Sequence, residues 1–430
     1  MSLRWDFKLV RCPLYGFVGL SKKEDLLLDT IPMQRLSRIK QLAHTYIVYP
    51  SAVHTRLEHS LGSLCIAGRI CDQLRLPQKP KQAIRIAALL HDVGQGPFSH
   101  IWEDPMRWIN GENFSHEDVT KLIIEYEPSI RRILSDFRKE VLEVFNGETL
   151  SSDIVSSSLD VDKLDYLRRD SYHIGVAYGL FDIERIIHTI CRISEAGRDY
   201  LAIQEKGQDA LENYRLARYA MHMQVYEHHT RLIADDMFLR AVKLALSEGC
   251  LAEEDFKISG DQNRFVDNFL KFDDYSIQHQ VFQNSSGTAR KLLQDLQNRR
   301  LFKRALVVPL TKRGVENPII RKKIIEMNRN EIEEAENKIA NEIGIDPAYV
   351  IVHLQSIKIK LYEHFEETLG KKEKPIYVKR RDGSIFSFDE ESPISAALSP
   401  IRKLYVFCPN RYVSKAKTIA ENLFNVKSSY

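Results

Sequence analysis

The apolar run Ala87-Ala88-Leu89-Leu90 leads straight into His91-Asp92-Val93-Gly94, and that junction constrains the fold more than any other stretch. Ile84, Ala87 and Leu90 recur near the helical period. The pattern predicts a buried helix that ends on two ligand-type side chains, with Gly94 and Gly96-Pro97 stopping it. Adjacent helical residues point about 100° apart, but an unwound last turn lets both side chains face one ion. A buried carboxylate is costly unless it is paired, and a divalent cation neutralises it while fixing the imidazole tautomer. The competing reading is a core histidine hydrogen-bonded to a capping aspartate. Two further candidate ligands flank the pair: His59 in His54-Thr55-Arg56-Leu57-Glu58-His59, and Asp162 in Asp160-Val161-Asp162-Lys163. The order His, His-Asp, Asp points to a mononuclear metal hydrolase.

Two imidazoles and two carboxylates, with no sulfur, suit Zn, Mn, Fe, Co or Ni, with Mg a weaker fit. Four protein ligands on a six-coordinate ion leave positions for water or a phosphate oxygen. His44, His54, His59, His91, His100 and His116 cluster in one stretch of the chain. Clustering alone is weak evidence, and it is the apolar helix before His91 that gives it weight. The cysteines (Cys12, Cys65, Cys71, Cys191, Cys250 and Cys408) are scattered without a Cys-x-x-Cys pair. Free thiols are expected, buried at Cys65 and Cys71, and thiolate zinc sites are set aside.

The chain has 430 residues, 43% hydrophobic and 28% charged, the balance of an ordinary globular protein. A net charge of +3 argues against a surface built wholly for nucleic acid, while leaving room for a local basic pocket. No apolar stretch approaches the roughly 18–20 residues of a membrane span. The N-terminus, Met1-Ser2-Leu3-Arg4-Trp5-Asp6, lacks the apolar segment of a signal peptide, so no membrane association and a cytoplasmic location are expected.

The predicted architecture is mainly α, a helical core with a smaller C-terminal α/β lobe. Residues 1–50 form an N-terminal segment packing on the core, with a turn at Cys12-Pro13-Leu14-Tyr15-Gly16 and a helical stretch over Met33–Leu42. Residues 51–300 read as the helical domain, with further helices over Arg185–Ile193, Leu211–Ala234 and Asp236–Leu246. Residues 301–430 read as the α/β lobe. Its predicted strands are Ala305–Leu310, Tyr349–Leu354, Leu404–Cys408 and a hairpin, Ile376–Arg380 with Ser384–Phe388, about Arg381-Asp382-Gly383. Helices are expected near Asn330–Glu342 and Lys415–Phe424, and Lys371-Lys372-Glu373-Lys374 reads as a solvated loop.

Several blocks carry a family resemblance: Asp29 to Leu36, Ile39 to Leu42, His54 to Gly62, His91 to His100, Asp160 to Gly175 and Arg218 to Tyr226. Over about Pro13 to Lys243 the chain resembles the HD-domain phosphohydrolases. It is most similar to the deoxynucleoside triphosphate triphosphohydrolases, the branch in which a sterile-alpha-motif domain precedes the HD domain; none is expected here. The resemblance implies an HD-domain helical core that hydrolyses a dNTP to deoxynucleoside and triphosphate. It places one divalent transition metal on His59, His91, Asp92 and Asp162, with Mg accompanying the nucleotide phosphates. Arg56, Lys163 and Arg218 fall at phosphate-holding positions, fitting chemistry for a polyanion. Tyr166, Asp170 and Tyr226 line the sugar pocket, and Gln41 and Leu42 pack against the sugar edge. Taken singly, Lys163 and Arg218 read equally well as helix-surface salt bridges. His100 and His116 match histidines near the scissile phosphate. Either imidazole is a candidate proton donor to the departing 5′-oxygen, with Glu103 as its orienting carboxylate. For His116 a plain helix-start histidine capped by Ser115 is the alternative. A homo-oligomer and a nucleotide activator are also implied.

The chain departs from that pattern in two places. Gln95, among the substrate-contacting positions, stands where the similar enzymes of animals carry another histidine, and an amide does not titrate near neutrality. Ser37 replaces an arginine of the guanine-activator site, although Arg38 follows. Arg11 and Cys12 replace an asparagine and an acid, while Asp29 and Gln34 match. We therefore expect no guanine-nucleotide activation, or activation with altered base preference. Two rival readings stand beside this one, and only the first shares the metal ligands. One is an HD phosphohydrolase of nucleoside monophosphates, alarmones or cyclic dinucleotides, and the other is a non-catalytic nucleotide- or nucleic-acid-binding protein.

Overall fold

A computed structural model describes residues 8–147, 149–195, 197–258, 260–357, 375–398 and 401–429. The Lys371–Lys374 loop lies outside the described residues. The fold is mainly helical with small sheets. It separates into two compact units, the first drawn from Met1–Met221, Ala252–His279 and Tyr362–Ala397, the second from His222–Leu251, Gln280–Leu361 and Leu398–Tyr430. The units therefore interleave along the chain and do not part at a single point near residue 300.

Four helices of the first unit carry the site. Helix α1 (Arg56–Gln73) starts where the Thr55 N–H donates to Glu58 Oε1 at 3.4 Å. Helix α2 (Gln78–Leu90) is buried over Ala83–Leu90, as its apolar run predicts, and stops at His91. Helix α3 (His116–Tyr126) is capped by Ser115, whose hydroxyl accepts from the Glu117 N–H. Helix α4 (Val161–Ile174) is capped by Asp160 and closed by Gly175 in the left-handed region. Helices α1, α2 and α4 pack together, while the hairpin β1 (Lys8–Cys12) and β2 (Gly16–Leu20) lies against α1.

Gly94 is a tight point in this packing. A Cβ there would meet the His116 carbonyl oxygen and the Thr120 nitrogen, each at 2.3 Å. The Thr120 hydroxyl accepts from the Gly94 N–H at 3.1 Å and donates to the His91 carbonyl at 2.9 Å. Gly94→Ala is expected to cost ~1–3 kcal/mol, the range for overpacking, and to lower turnover by pushing the start of α3 away from His91. A urea melt and a rate measurement on the same sample check both effects.

Sheet formation departs from several expectations. Arg185–Ile193 is predicted as one helix, but the helix spans Ile183–Thr189 and gives way to β3 (Ile190–Glu195), paired antiparallel with β4 (Arg198–Gln204). A short β-branched run reads as helix or strand until its pairing partner is known. Over Met33–Leu42 the α-helix is only Ile31–Arg35, followed by a 3-10 turn at Leu36–Arg38. Tertiary contacts end it: the buried Arg35 Nε donates to the Phe272 carbonyl at 2.6 Å, and Lys40 bridges to Thr55. The predicted Leu211–Ala234 helix is divided into α5 (Gln208–Met221), a π-turn at His222–Tyr226, and α6 (His229–Ser247) capped by His228.

In the second unit, β5 (Lys303–Pro309) and β6 (Ile351–Ile357) flank a last strand at Ile401–Cys408, in an antiparallel sheet. Its two apolar faces are covered by Arg329–Ile343 and Val413–Phe424 on one side and by α6 on the other. The predicted hairpin exists as β7 (Tyr377–Lys379) and β8 (Ile385–Ser387) but belongs to the other sheet. There β7 runs parallel to β4 with Ala202 opposite Tyr377. Local turn chemistry at Gly383, at φ +90°, announces a hairpin without naming its sheet. The six cysteines are free, Cys71 buried and Cys65 partly so. Among the described residues no helix is long and apolar enough to cross a membrane.

Candidate metal centre

Helix geometry alone brings Arg56 and His59 to one face of α1, three residues apart. His59 is fully buried. Its Nδ1–H donates to Asp165 Oδ2 at 2.9 Å, which leaves Nε2 as the free ligand atom. At the end of α2 the His91 Nδ1–H donates to the Ala88 carbonyl at 2.8 Å, and a carbonyl can only accept. Its Nε2 is therefore also turned inward. The two Nε2 atoms face each other at 3.1 Å, and Asp162 Oδ1 stands 3.0 Å from His59 Nε2 and 3.8 Å from His91 Nε2. Two ring lone pairs and a carboxylate at this spacing need a shared electrophile between them.

The ligand atoms of His59, His91 and Asp162 lie within 4.8 Å of one another. Asp92 adjoins them from the side, Oδ2 3.7 Å from His59 Nε2 and Oδ1 3.5 Å from His91 Nε2. It is held there by Arg56, whose Nη1 donates to Oδ2 at 2.6 Å while Nε donates to the Ser99 hydroxyl. Arg56 is 2% exposed, so its first task in this structure is to hold the Asp92 carboxylate. Burial opposes ionisation of Asp92, yet Arg56 and the two imidazoles hold it well below the usual carboxylate range. Burial likewise opposes a proton on His59, but Asp162 and Asp165 push that imidazole up to about 10. The negative field that would retain a proton here is the field a divalent cation neutralises, so the donor set fits a divalent metal.

A second group lies at Glu103. Its Oε1 accepts from His100 Nδ1 at 2.8 Å and from His116 Nδ1 at 2.9 Å, and its Oε2 accepts from Arg107 at 2.5 Å. His100 is exposed, whereas His116 is mostly covered. Burial disfavours charge on both partners, but the pairing drives Glu103 well below its ordinary value and raises His116. The unfolded His116 titrates near 6.5, and the raised folded value keeps its proton above that pH. Glu103→Gln is therefore expected to move the alkaline limb of the pH–rate profile to lower pH. The stability supplied by the His116 proton is present below about pH 6.5 and is lost as pH rises through the folded value. Paired wild-type and Glu103→Gln profiles of kcat/KM check the shift.

Lys163 and Tyr166 on α4 and Arg218 on α5 share one electrostatic neighbourhood. Burial raises Tyr166, with Arg218 and Lys163 opposing it. Lys163 Nζ donates to Asp160 Oδ2 at 2.8 Å, and that carboxylate also accepts the Lys163 N–H. Asp170 is buried with Oδ1 2.7 Å from His54 Nε2, and His54 stacks on His173 at 4.4 Å. Gln41 and Leu42 are nearly buried, with the Gln41 N–H donating to the His54 carbonyl. Gln95 is fully buried, and neither amide atom finds a hydrogen-bond partner among the described residues. Tyr226 belongs to the second unit. Sequence reasoning missed Asp165, Ser99 and Thr120. Only Asp165 left a trace, three residues beyond Asp162 and so on the same face of α4.

Comparison with known proteins agrees with this geometry. A model of the HD domain matches residues 56–170, and a model of the HD associated region matches residues 181–430, more than half of the chain. The chain belongs to the HD-domain family and is an HD-domain phosphohydrolase carrying an HD-associated region. It is 31% identical over 427 residues to an uncharacterized protein of Methanocaldococcus jannaschii, covering 98% of this chain and 82% of that one. The crystal structure of a phosphohydrolase from Bacteroides thetaiotaomicron superposes with a TM-score of 0.73 at 27% identity, covering 93% of this chain and 99% of that one. A deoxynucleoside triphosphate triphosphohydrolase homolog of Dictyostelium discoideum is 27% identical over 325 residues, covering 70% of this chain and 60% of that one.

Proposed function

We propose that this phosphohydrolase converts a deoxynucleoside triphosphate to a deoxynucleoside and inorganic triphosphate. The observation that carries the reading is the facing pair of His59 and His91 Nε2 atoms at 3.1 Å beside Asp162. Support for the substrate comes from the cations Lys163 and Arg218 near Tyr166, and from the similarity to the Dictyostelium triphosphohydrolase. His59, His91, Asp92 and Asp162 would hold a Zn, Mn, Fe, Co or Ni ion, which would supply Lewis-acid polarisation of a phosphoryl oxygen and activation of water. Lys163 and Arg218 neutralise the triphosphate, with Arg56 adding charge behind Asp92. Water attacks the α-phosphorus, the bond from phosphorus to the 5′-oxygen breaks, and a protonated imidazole of His116 or His100 delivers its proton to that oxygen. Glu103 keeps the proton available on His116. Gln41 and Leu42 close on the sugar edge, and Tyr166 and Asp170 line the sugar pocket. Assembly into a homo-oligomer and control by a nucleotide activator belong to the same reading.

One observation favours a second reading. Gln95 presents a buried, unmatched amide where a titrating histidine is expected, which suits a nucleotide-sensing or nucleic-acid-binding protein with a degenerate catalytic centre. A turnover screen of purified protein decides, using each dNTP and the rival nucleotides (nucleoside monophosphates, alarmones and cyclic dinucleotides), a metal panel, and samples with and without GTP or dNTP activators. Inorganic triphosphate and deoxynucleoside in equal amounts are expected. Release of single phosphates, or turnover of the rival nucleotides alone, would overturn the dNTP reading.

A further inference from the structure

Four consecutive residues at the start of the helix Asp274–Asn284 grip the segment Arg35–Lys40. The Phe272 carbonyl accepts from Arg35, Asp273 Oδ2 accepts from Arg38 Nε at 2.6 Å, and the Lys40 ammonium lies 4.7 Å above the Tyr275 ring. Asp274, the fourth, is different because its carboxylate is 0% exposed and reaches two separate stretches of backbone. Its Oδ2 accepts from the Lys40 N–H at 3.0 Å, and its Oδ1 accepts from the Phe98 N–H at 2.6 Å. Lys40 precedes Gln41 and Leu42. Phe98 begins the turn that projects His100.

That turn is unusual. Phe98 and Ser99 are successive non-glycine residues at φ +57° and +60°, a left-handed geometry that persists only where the surroundings over-determine it. The Ser99 hydroxyl donates to the Lys40 carbonyl and accepts from Arg56 Nε, each at 2.7 Å. One carboxylate thus stands at the junction of the Gln41–Leu42 segment, the His100 turn, and the Arg56–Asp92 pair. We propose that Asp274 is a positioning residue that locks these elements in register and so sets discrimination at the nucleotide sugar. The specificity clause rests on the dNTP reading; the positioning clause does not.

Asp274→Asn is nearly isosteric, but its amide keeps a single acceptor oxygen and can serve only one of the two N–H groups. The test compares wild type, Asp274→Asn, and a remote buried-carboxylate control, Glu24→Gln, which disturbs the Glu24–Arg85 ion pair. Amide hydrogen exchange is read at residues 38–42 and 96–100 together with metal content, and kcat and KM are measured for dNTPs and matched ribonucleotides. The expected result for Asp274→Asn is faster exchange in both segments with metal retained. With it come a raised KM and a fall of about 10- to 100-fold in the preference for the deoxy substrate, the scale of an ångström-sized misplacement. Unchanged exchange in both segments would overturn the positioning role. An equal loss of preference in Glu24→Gln would overturn the specificity role. If the wild type turns over no dNTP, the function reading fails while the exchange data still decide the positioning claim.

Discussion

Asp162→Ala is expected to remove metal-dependent turnover while leaving the protein folded. Asp162 is the carboxylate nearest His59 Nε2, at 3.0 Å, and it lies 3.8 Å from His91 Nε2. Asp92 is no substitute, because its charge is already matched by Arg56 at 2.6 Å. Losing a group that merely supports a ligand costs roughly 10–100-fold in metal affinity or activity, and loss of the ligand itself is expected to exceed that. A metal titration followed by turnover, with a thermal melt as the folding control, measures it. Activity within a few-fold of wild type at saturating metal would remove Asp162 from the centre.

Asp165→Asn is expected to weaken both the metal and the fold. Asp165 accepts from His59 Nδ1 and, through both oxygens, from Arg169 Nε and Nη2 at 2.7 and 2.9 Å. Arg169 is itself buried, with Nη2 3.6 Å from Cys12 Sγ. Removing one partner of a buried pair leaves an uncompensated charge at a cost of ~3–5 kcal/mol. The orienting bond to His59 is lost as well, for roughly 10–100-fold in metal affinity. Burial opposes ionisation of Asp165, but Arg169 and His59 bring its carboxyl down to about 2, below the unfolded value near 3.9. Its contribution is thus fully present above about pH 3.9 and fades as pH falls through about 2. The stability gap between wild type and variant should be constant near neutrality and shrink in acid. Urea melts at pH 7 and pH 3 measure that gap. A gap below 1 kcal/mol at pH 7 would mean Arg169 is satisfied without Asp165.

The sequence was most readable where local chemistry and burial coincide. The apolar helix before His91 ends at Leu90 because an unbroken buried run gives way to polar residues and glycine. The Ser115 cap, and the strands at residues 303–309 and 401–408, follow from equally local signals. What escaped was set by partners far along the chain. β3 is a strand because β4 pairs with it, and β7 lies beside β4 through a register that no hairpin motif encodes. At the centre, His59, His91 and Asp162 are legible as residue types in order. The tautomer of each imidazole is not, since it depends on Asp165 and on the Ala88 carbonyl. Arg56 reads as a phosphate ligand by its charge, yet its burial first makes it the partner of Asp92. Asp274, 234 residues from the Lys40 amide it accepts from, leaves no trace in any local pattern.

The most direct test is elemental analysis of protein purified without chelators, beside His91→Ala and Asp162→Ala, with X-ray absorption to read the ligands. One divalent ion per chain bound by nitrogen and oxygen donors, two of them imidazoles, and lost in both variants, is the expected result. A metal-free wild type that still hydrolyses nucleotides, or an ion retained at full occupancy in both variants, would contradict a centre built on His59, His91, Asp92 and Asp162.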